Sequence, residues 1–187
     1  MADIWEERKK GLEEAFFTQR DHELLEQLKK QYASEDEVAA LQAASGITNR
    51  ELLQILVDRG IDAGVLTALI LTPLVEVAWA DGQIEERERA AILKAAEAHG
   101  VQAASPAHQR LEQMLKQRPD IALVAAWKQY VREISKTLTP EMRAFTKANM
   151  VGRAKQVAEA AGGILGFNKI STMEQAVIDD LSRAYDA

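Results

Sequence analysis

The residues whose types and spacing suit chemistry lie in one turn, Asp81-Gly82-Gln83-Ile84-Glu85-Glu86-Arg87-Glu88. Their order matches the second half of an EF-hand calcium loop: an Asp side chain, a glycine for the sharp turn, a backbone carbonyl, an apolar anchor, a water-mediated acid and a terminal bidentate glutamate. On that pattern Asp81, the carbonyl of Gln83, Glu85 and Glu88 would hold Ca²⁺ or another divalent cation. The two earlier ligand positions fall on Val77 and Trp79, which offer no side-chain oxygen. The turn therefore supplies about half of the six to eight oxygens that calcium takes, and the expected dissociation constant is no tighter than about 10⁻⁴ M. The same residues also suit a plain link between helices, with Gly82 at positive φ, Ile84 as an apolar plug and the acids at the next helix's N-terminus.

Other constellations carry less. Phe167-Asn168-Lys169-Ile170-Ser171-Thr172-Met173-Glu174 repeats the apolar anchor and terminal glutamate, but phenylalanine stands where the aspartate should be. His22, His99 and His108 are scattered and lack the HExxH spacing, and without cysteine there is neither a thiolate zinc site nor a thiol nucleophile. Gly162-Gly163-Ile164-Leu165-Gly166 follows a helical pattern and lacks the Lys-Ser/Thr of a phosphate loop. No Gly-x-Ser-x-Gly elbow is present, and the acid pairs Glu85-Glu86 and Asp179-Asp180 read as solvated helix faces. The chain is expected to be no enzyme.

The elements that position the turn are helices. The stretch from Asp62 to Trp79 is apolar on every side at the helical period, which makes it a central core helix, with Asp62 opening it and Glu76 interrupting it. Pro73 is expected to kink this helix or start a second one capped by Thr72. Glu76, a carboxylate within an apolar helix, is expected to meet a cation or another donor. Leu69, Ile70, Leu74, Val77, Trp127, Val131 and Phe145 are expected in one core.

Upstream, Asp3 to Tyr32 reads as amphipathic helix with Trp5, Leu12 and Phe16, then Leu24, Leu25 and Leu28, inward, and Asp21 as a cap. Ser34 with Glu37 and Thr48 with Glu51 read as capping boxes, and Gly46 and Gly60 as stops. Downstream, Glu85 to His99 carries Ile92, Leu93 and Ala96 inward. Ser105-Pro106 opens the next helix, and Leu123, Trp127, Tyr130, Val131, Ile134 and Leu138 mark another. Thr139-Pro140 opens a helix presenting Phe145, Ala148, Ala154, Val157 and Ala161. A third capping box, Ser171 with Glu174, opens a last helix with Met173, Val177, Leu181 and Ala184 inward. No period-two pattern appears, so the fold class is all-α, a compact multi-helix bundle.

Composition sets the remaining bounds. A chain of 187 residues, 47% hydrophobic with 5% aromatics, is long enough to bury a full core. The net charge of -6 argues against nucleic acid, which needs clustered Lys and Arg. The start, MADIWEERKK, lacks the apolar segment of a signal peptide, and no run suits membrane insertion, so cytoplasmic residence is expected.

Ala78-Trp79-Ala80-Asp81-Gly82, followed by Ile84 and Glu88 on an all-helical chain, resembles the tellurite-resistance TerB-like family. The likeness covers residues 61–187 and divides the chain into an N-terminal helical extension, 1–60, and a TerB-like helical domain, 61–187. It implies a helical bundle with acidic, metal-binding turns that works in bacterial stress-response or envelope-associated complexes through protein partners. The family's second Ala-Asp-Gly turn is replaced by Gly166-Phe167-Asn168. The N-terminal segment, Ile4-Trp5-Glu6-Glu7-Arg8 through Phe16-Phe17 and Asp21 to Leu28, resembles the zeta-type inhibitor of F-type ATP synthases. That likeness implies the alternative, an inhibitor or adaptor docking its N-terminal helices on a larger machine.

Overall fold

In the computed structural model the described residues are 2–17, 21–31, 36–45, 47–58, 61–84, 86–98, 101–162 and 170–186. Among them the chain forms ten α-helices and no strand. These are α1 (Ala2–Phe16), α2 (His22–Gln31), α3 (Glu37–Ser45), α4 (Arg50–Asp58), α5 (Ala63–Ala78), α6 (Glu86–Ala98), α7 (Pro106–Lys116), α8 (Ile121–Ser135), α9 (Pro140–Gly162) and α10 (Thr172–Ser182), with a 3-10 turn over Arg183–Tyr185. No single helix among the described residues is long and apolar enough to cross a membrane.

The bundle is built around α5, which packs against α1, α2, α3, α7, α8, α9 and α10. Asp62 starts it, its carboxylate accepting the N–H groups of Gly64 at 2.9 Å and Val65 at 3.1 Å. Val65, Ala68, Leu71, Leu74 and Val77 are all buried. Gly64 is tight here: a Cβ at this position would sit 2.6 Å from Leu25 Cδ1. Of the two outcomes expected at Pro73, a second helix does not start there: α5 runs through Pro73 as one helix. Proline removes the N–H that would bond the carbonyl of Leu69 one turn back. The indole N–H of Trp127 takes its place, donating to Leu69 O at 3.1 Å, so the break is compensated by α8. Thr72 lies mid-helix, buried, and caps nothing.

Residues on both sides of position 60 join one core. Leu12 and Phe16 of α1 are buried among residues of α5, α7 and α8, and α1 packs along α8 and α5. Trp5 meets Tyr130 edge-on at 6.0 Å. Arg110 of α7 reaches back to this corner, where Nη1 pairs with Asp21 at 2.7 Å, Nη2 donates to the carbonyl of Phe16 and the guanidinium stands 5.3 Å from the Phe16 ring. Burial pushes the Arg110 pKa down and the Asp21 charge opposes that. Truncating one partner of such a buried pair strands the other, at a cost of about 3–5 kcal/mol.

The capping pattern is partly as expected. Ser105 accepts the N–H of His108 with Pro106 in the first turn, and Ser171 and Glu174 form a complete capping box. Asp120 caps α8 through the N–H of Ala122 at 2.8 Å. The Thr48–Glu51 box is replaced by a cap one residue later, where Asn49 accepts the N–H of Leu52 at 3.0 Å. Asp36 caps α3 through Ala39 N–H, while Ser34, Gly46, Gly60, His99 and Gly163 lie outside the described residues.

Three residues expected on inward faces are exposed, Ala148 among them. Phe145 is 41% exposed and Met173 54% exposed. Phe145 and Ala148 lie nine residues before Ala154 and Val157, a separation of about two and a half helical turns, so the two pairs sit on opposite faces of α9. The buried stripe is Met142, Met150, Ala154, Val157 and Ala158. Met173 sits in the first turn of α10, and Ile178 and Leu181 carry its contact with the core.

Candidate functional site

Two places remain as candidates, the acidic turn and an apolar cleft. The turn links α5 to α6. Trp79 closes α5, and its indole N–H donates to the carbonyl of Met114 on α7 at 2.9 Å, which fixes the start of the turn to the bundle. Gly82 N–H bonds the Trp79 carbonyl at 3.0 Å, and Gly82 sits at φ +92°, the left-handed region that favours glycine. Ile84 is half-buried against the core. Asp81 and Gln83 are exposed, and Asp81 Oδ1 accepts the N–H of Gln83 at 3.1 Å.

Of the other expected ligands, Glu85 lies outside the described residues. Glu88 belongs to α6, and its side chain is likewise outside the description. Two more distant donors are committed elsewhere: Glu76 pairs with Arg118 at 3.8 Å, and Glu174 accepts the N–H of Ser171 at 2.7 Å. The Glu76 contact is the cationic partner expected of a carboxylate in an apolar helix. Among the described residues no group of three or more His, Asp or Glu side chains is gathered as a metal site.

The cleft lies where α4, α5 and α9 meet. Leu52 and Leu56 of α4 face Leu66, Leu69, Ile70 and Leu74 of α5 across it. Ile134 at the end of α8, Leu138 after it, and Tyr185 of the 3-10 turn line it further. Its remaining wall comes from α9: Phe145, Thr146, Asn149, Met150 and Arg153. Two of the polar groups in that wall are spent within the helix. Thr146 Oγ1 donates back to the Met142 and Arg143 carbonyls, both at 3.0 Å, and Asn149 Nδ2 donates to the Phe145 carbonyl at 2.9 Å. Tyr185 packs edge-on to Trp127 at 6.1 Å, and burial pushes its phenol pKa up, so it stays neutral. Arg153 is the charged residue of the wall, and burial lowers its pKa from the usual value.

The cavity within the cleft measures about 100 Å³. Small-molecule sites run to roughly 300–1,000 Å³, whereas an apolar cavity of about 150 Å³ holds a benzene ring. The space is smaller than that and suits one aliphatic side chain. Sequence reasoning missed this site because it placed Phe145 in the core. The available signal was the angular mismatch along α9.

Among the described residues no histidine forms a reactive pair with a serine. His108 Nε2 lies 3.0 Å from Glu97 Oε1, and the Ser105 hydroxyl accepts the backbone N–H of His108 as a cap. His22 is exposed. Compared with protein-family models, with curated proteins and with solved structures, the chain has no match.

Proposed function

We propose that the chain is a non-enzymatic, TerB-like helical module that acts through protein partners in stress-response or envelope-associated complexes. Its working surface is the cleft between α4, α5 and α9, which receives an apolar side chain from the partner. The observation that carries this reading is the half-buried pair Leu69 and Ile70 beside the exposed Phe145, on a cavity of about 100 Å³. An apolar hollow of one side chain's size is the anchor site of helix-in-groove and peptide recognition. The adaptor reading, in which the N-terminal helices dock on a larger machine, is less favoured. Leu12 and Phe16 of α1 and Leu25 of α2 are already buried in the chain's own core.

A photo-cross-linking residue at position 145, in living cells of the source organism, tests the reading. Discrete adducts that vanish when the cleft is filled by Ile70→Trp, and that are absent when the probe sits at Glu112, are expected. Adducts unaffected by Ile70→Trp would refute it.

A divalent cation at Asp81, Gln83, Glu85 and Glu88 belongs to the same proposal, supported by the left-handed Gly82 and the folded-back Asp81 side chain. Calcium at about ten times the 10⁻⁴ M bound given above should stabilise the protein by at most about 1.4 kcal/mol. Asp81→Ala should abolish that rise in melting temperature. Calorimetry without heat for any divalent cation would remove the cation from the account.

A further inference from the structure

One side of α9 faces solvent along about four turns. Glu141, Ala144, Phe145, Ala148, Gly152 and Lys155 are all exposed on it. Residues seven apart return to the same side of a helix within about 20°, so Glu141, Ala148 and Lys155 form the centre line of this face. A glycine inside a helix destabilises it relative to alanine, yet a Cβ at Gly152 would meet nothing within 4 Å. Packing within the chain gives no reason for the missing side chain, whereas the close approach of another backbone does. Gly11 in α1 is equally open, but Glu7, Arg8 and Glu14 surround it on a charged side of its helix.

The charges identify the backbone that approaches. Glu141 stands seven positions before Ala148 and Lys155 seven after it, just as Ala144 and Gly152 stand four before and four after. With a second copy of α9 laid antiparallel and Ala148 opposite Ala148, each Glu141 faces the other copy's Lys155 and each Ala144 faces the other copy's Gly152. Such a contact is self-complementary about a two-fold axis, as an isologous dimer requires. A parallel pair would instead set Glu141 against Glu141 and Lys155 against Lys155, which repel. Among the described residues neither charge has an ion-pair partner, and the Glu141 carboxylate takes only local hydrogen bonds, from its own N–H and Thr139. Glu159, one turn beyond Lys155, falls opposite Thr137, before the facing helix begins.

We infer that the chain pairs with a second copy of itself through this face of α9, antiparallel about Ala148, with Phe145 of each copy over Gly152 of the other. The short side chains at the centre let the two axes reach the close end of the usual range of about 8–10 Å. The inference does not rest on the cleft reading, since Thr146, Met150 and Arg153 line the cleft from the opposite side of α9. One helix from each copy gives less than the roughly 800 Å² per partner of a standard interface, so the dimer is weak, with a dissociation constant of about 10⁻⁵ M.

Analytical ultracentrifugation of the full chain, from about tenfold below to about thirtyfold above that constant, tests the pairing. The wild-type chain should pass from monomer to dimer over this range. Glu141→Lys and Lys155→Glu should each weaken the dimer about tenfold, because two attractive pairs become repulsive ones. The double reversal should restore it to within about threefold of wild type, and Ala148→Glu, which sets like charges on the axis, should stay monomeric throughout. Melting curves check that each variant is folded. Should Glu141→Lys disturb the start of α9, Lys155→Glu and Ala148→Glu still decide. A wild-type chain that remains monomeric overturns the inference. So does a dimer that neither Lys155→Glu nor Ala148→Glu weakens, or one weakened by both single reversals that the folded double variant does not restore. An adduct from position 145 to a second copy has twice the mass of the chain, which tells it apart from the adducts that judge the cleft.

Discussion

The two sides of α5 behave differently although both are apolar. On one, Val65, Ala68, Leu71 and Val75 are sealed to 2% exposure or less. On the other, Leu66, Leu69, Ile70 and Leu74 line the cleft, and Leu69 and Ile70 are only half-buried. Hydrophobicity does not separate the sides, since the residues of both are wholly aliphatic. The difference comes from what lies opposite. α9 has 23 residues against 16 in α5. Its second half buries Ala154, Val157 and Ala158 in the core, while its first half turns Phe145 outward beside the cleft. Apolar surface left open on a core helix is surface that the fold does not use to seal its core, and the proposed function makes it the place where a partner docks. The sealed side is the one that stability requires.

Three substitutions sharpen or break this comparison. The largest effect belongs to Leu71→Ala, which empties a fully enclosed site and should cost about 2–5 kcal/mol by urea denaturation. Trp127→Phe comes next. Losing the indole N–H leaves the Leu69 carbonyl without its donor beside Pro73, an expected cost of about 1–3 kcal/mol. The assignment has its own check, because Pro73→Ala restores an N–H one turn below that carbonyl. In the Pro73→Ala background the cost of Trp127→Phe should shrink, and additive losses would show that the two groups do not share Leu69 O. The smallest effect belongs to Ile70→Ala, on the open side, at about 1 kcal/mol or less, because little of its surface is newly lost to water. A cost for Ile70→Ala equal to that of Leu71→Ala would erase the distinction between the two sides.

Much of the fold was legible in the residues. The all-round apolarity of α5, the Ser105-Pro106 start of α7, the run Leu123, Trp127, Tyr130, Val131, Ile134 and the Ser171–Glu174 box are local patterns, and the all-α bundle follows from them. Three features were not legible because they depend on long-range partners. The donor that satisfies the Leu69 carbonyl ahead of Pro73 comes from a residue 58 positions away. The carboxylate of Asp21, at the start of α2, is held by Arg110, which arrives from α7. The outward turn of Phe145 could have been found from its angle to Ala154, but that it borders a cleft depends on where α4 and α8 end. Of the acidic turn, the left-handed glycine was legible and is as expected, while the gathering of four ligands is a property of side-chain placement that spacing does not determine.

The central claim is that the open side of α5 takes up an apolar group while contributing little to stability. The most direct measurement is the xenon-129 NMR shift of dissolved xenon, a probe small enough for the hollow, titrated with the wild-type chain, with Ile70→Trp and with Phe145→Ser. The wild-type protein should bind it with a saturable shift, Ile70→Trp should lose that shift and Phe145→Ser should weaken it, all three melting within a few degrees of one another. The same saturable shift in wild type and Ile70→Trp would contradict the account.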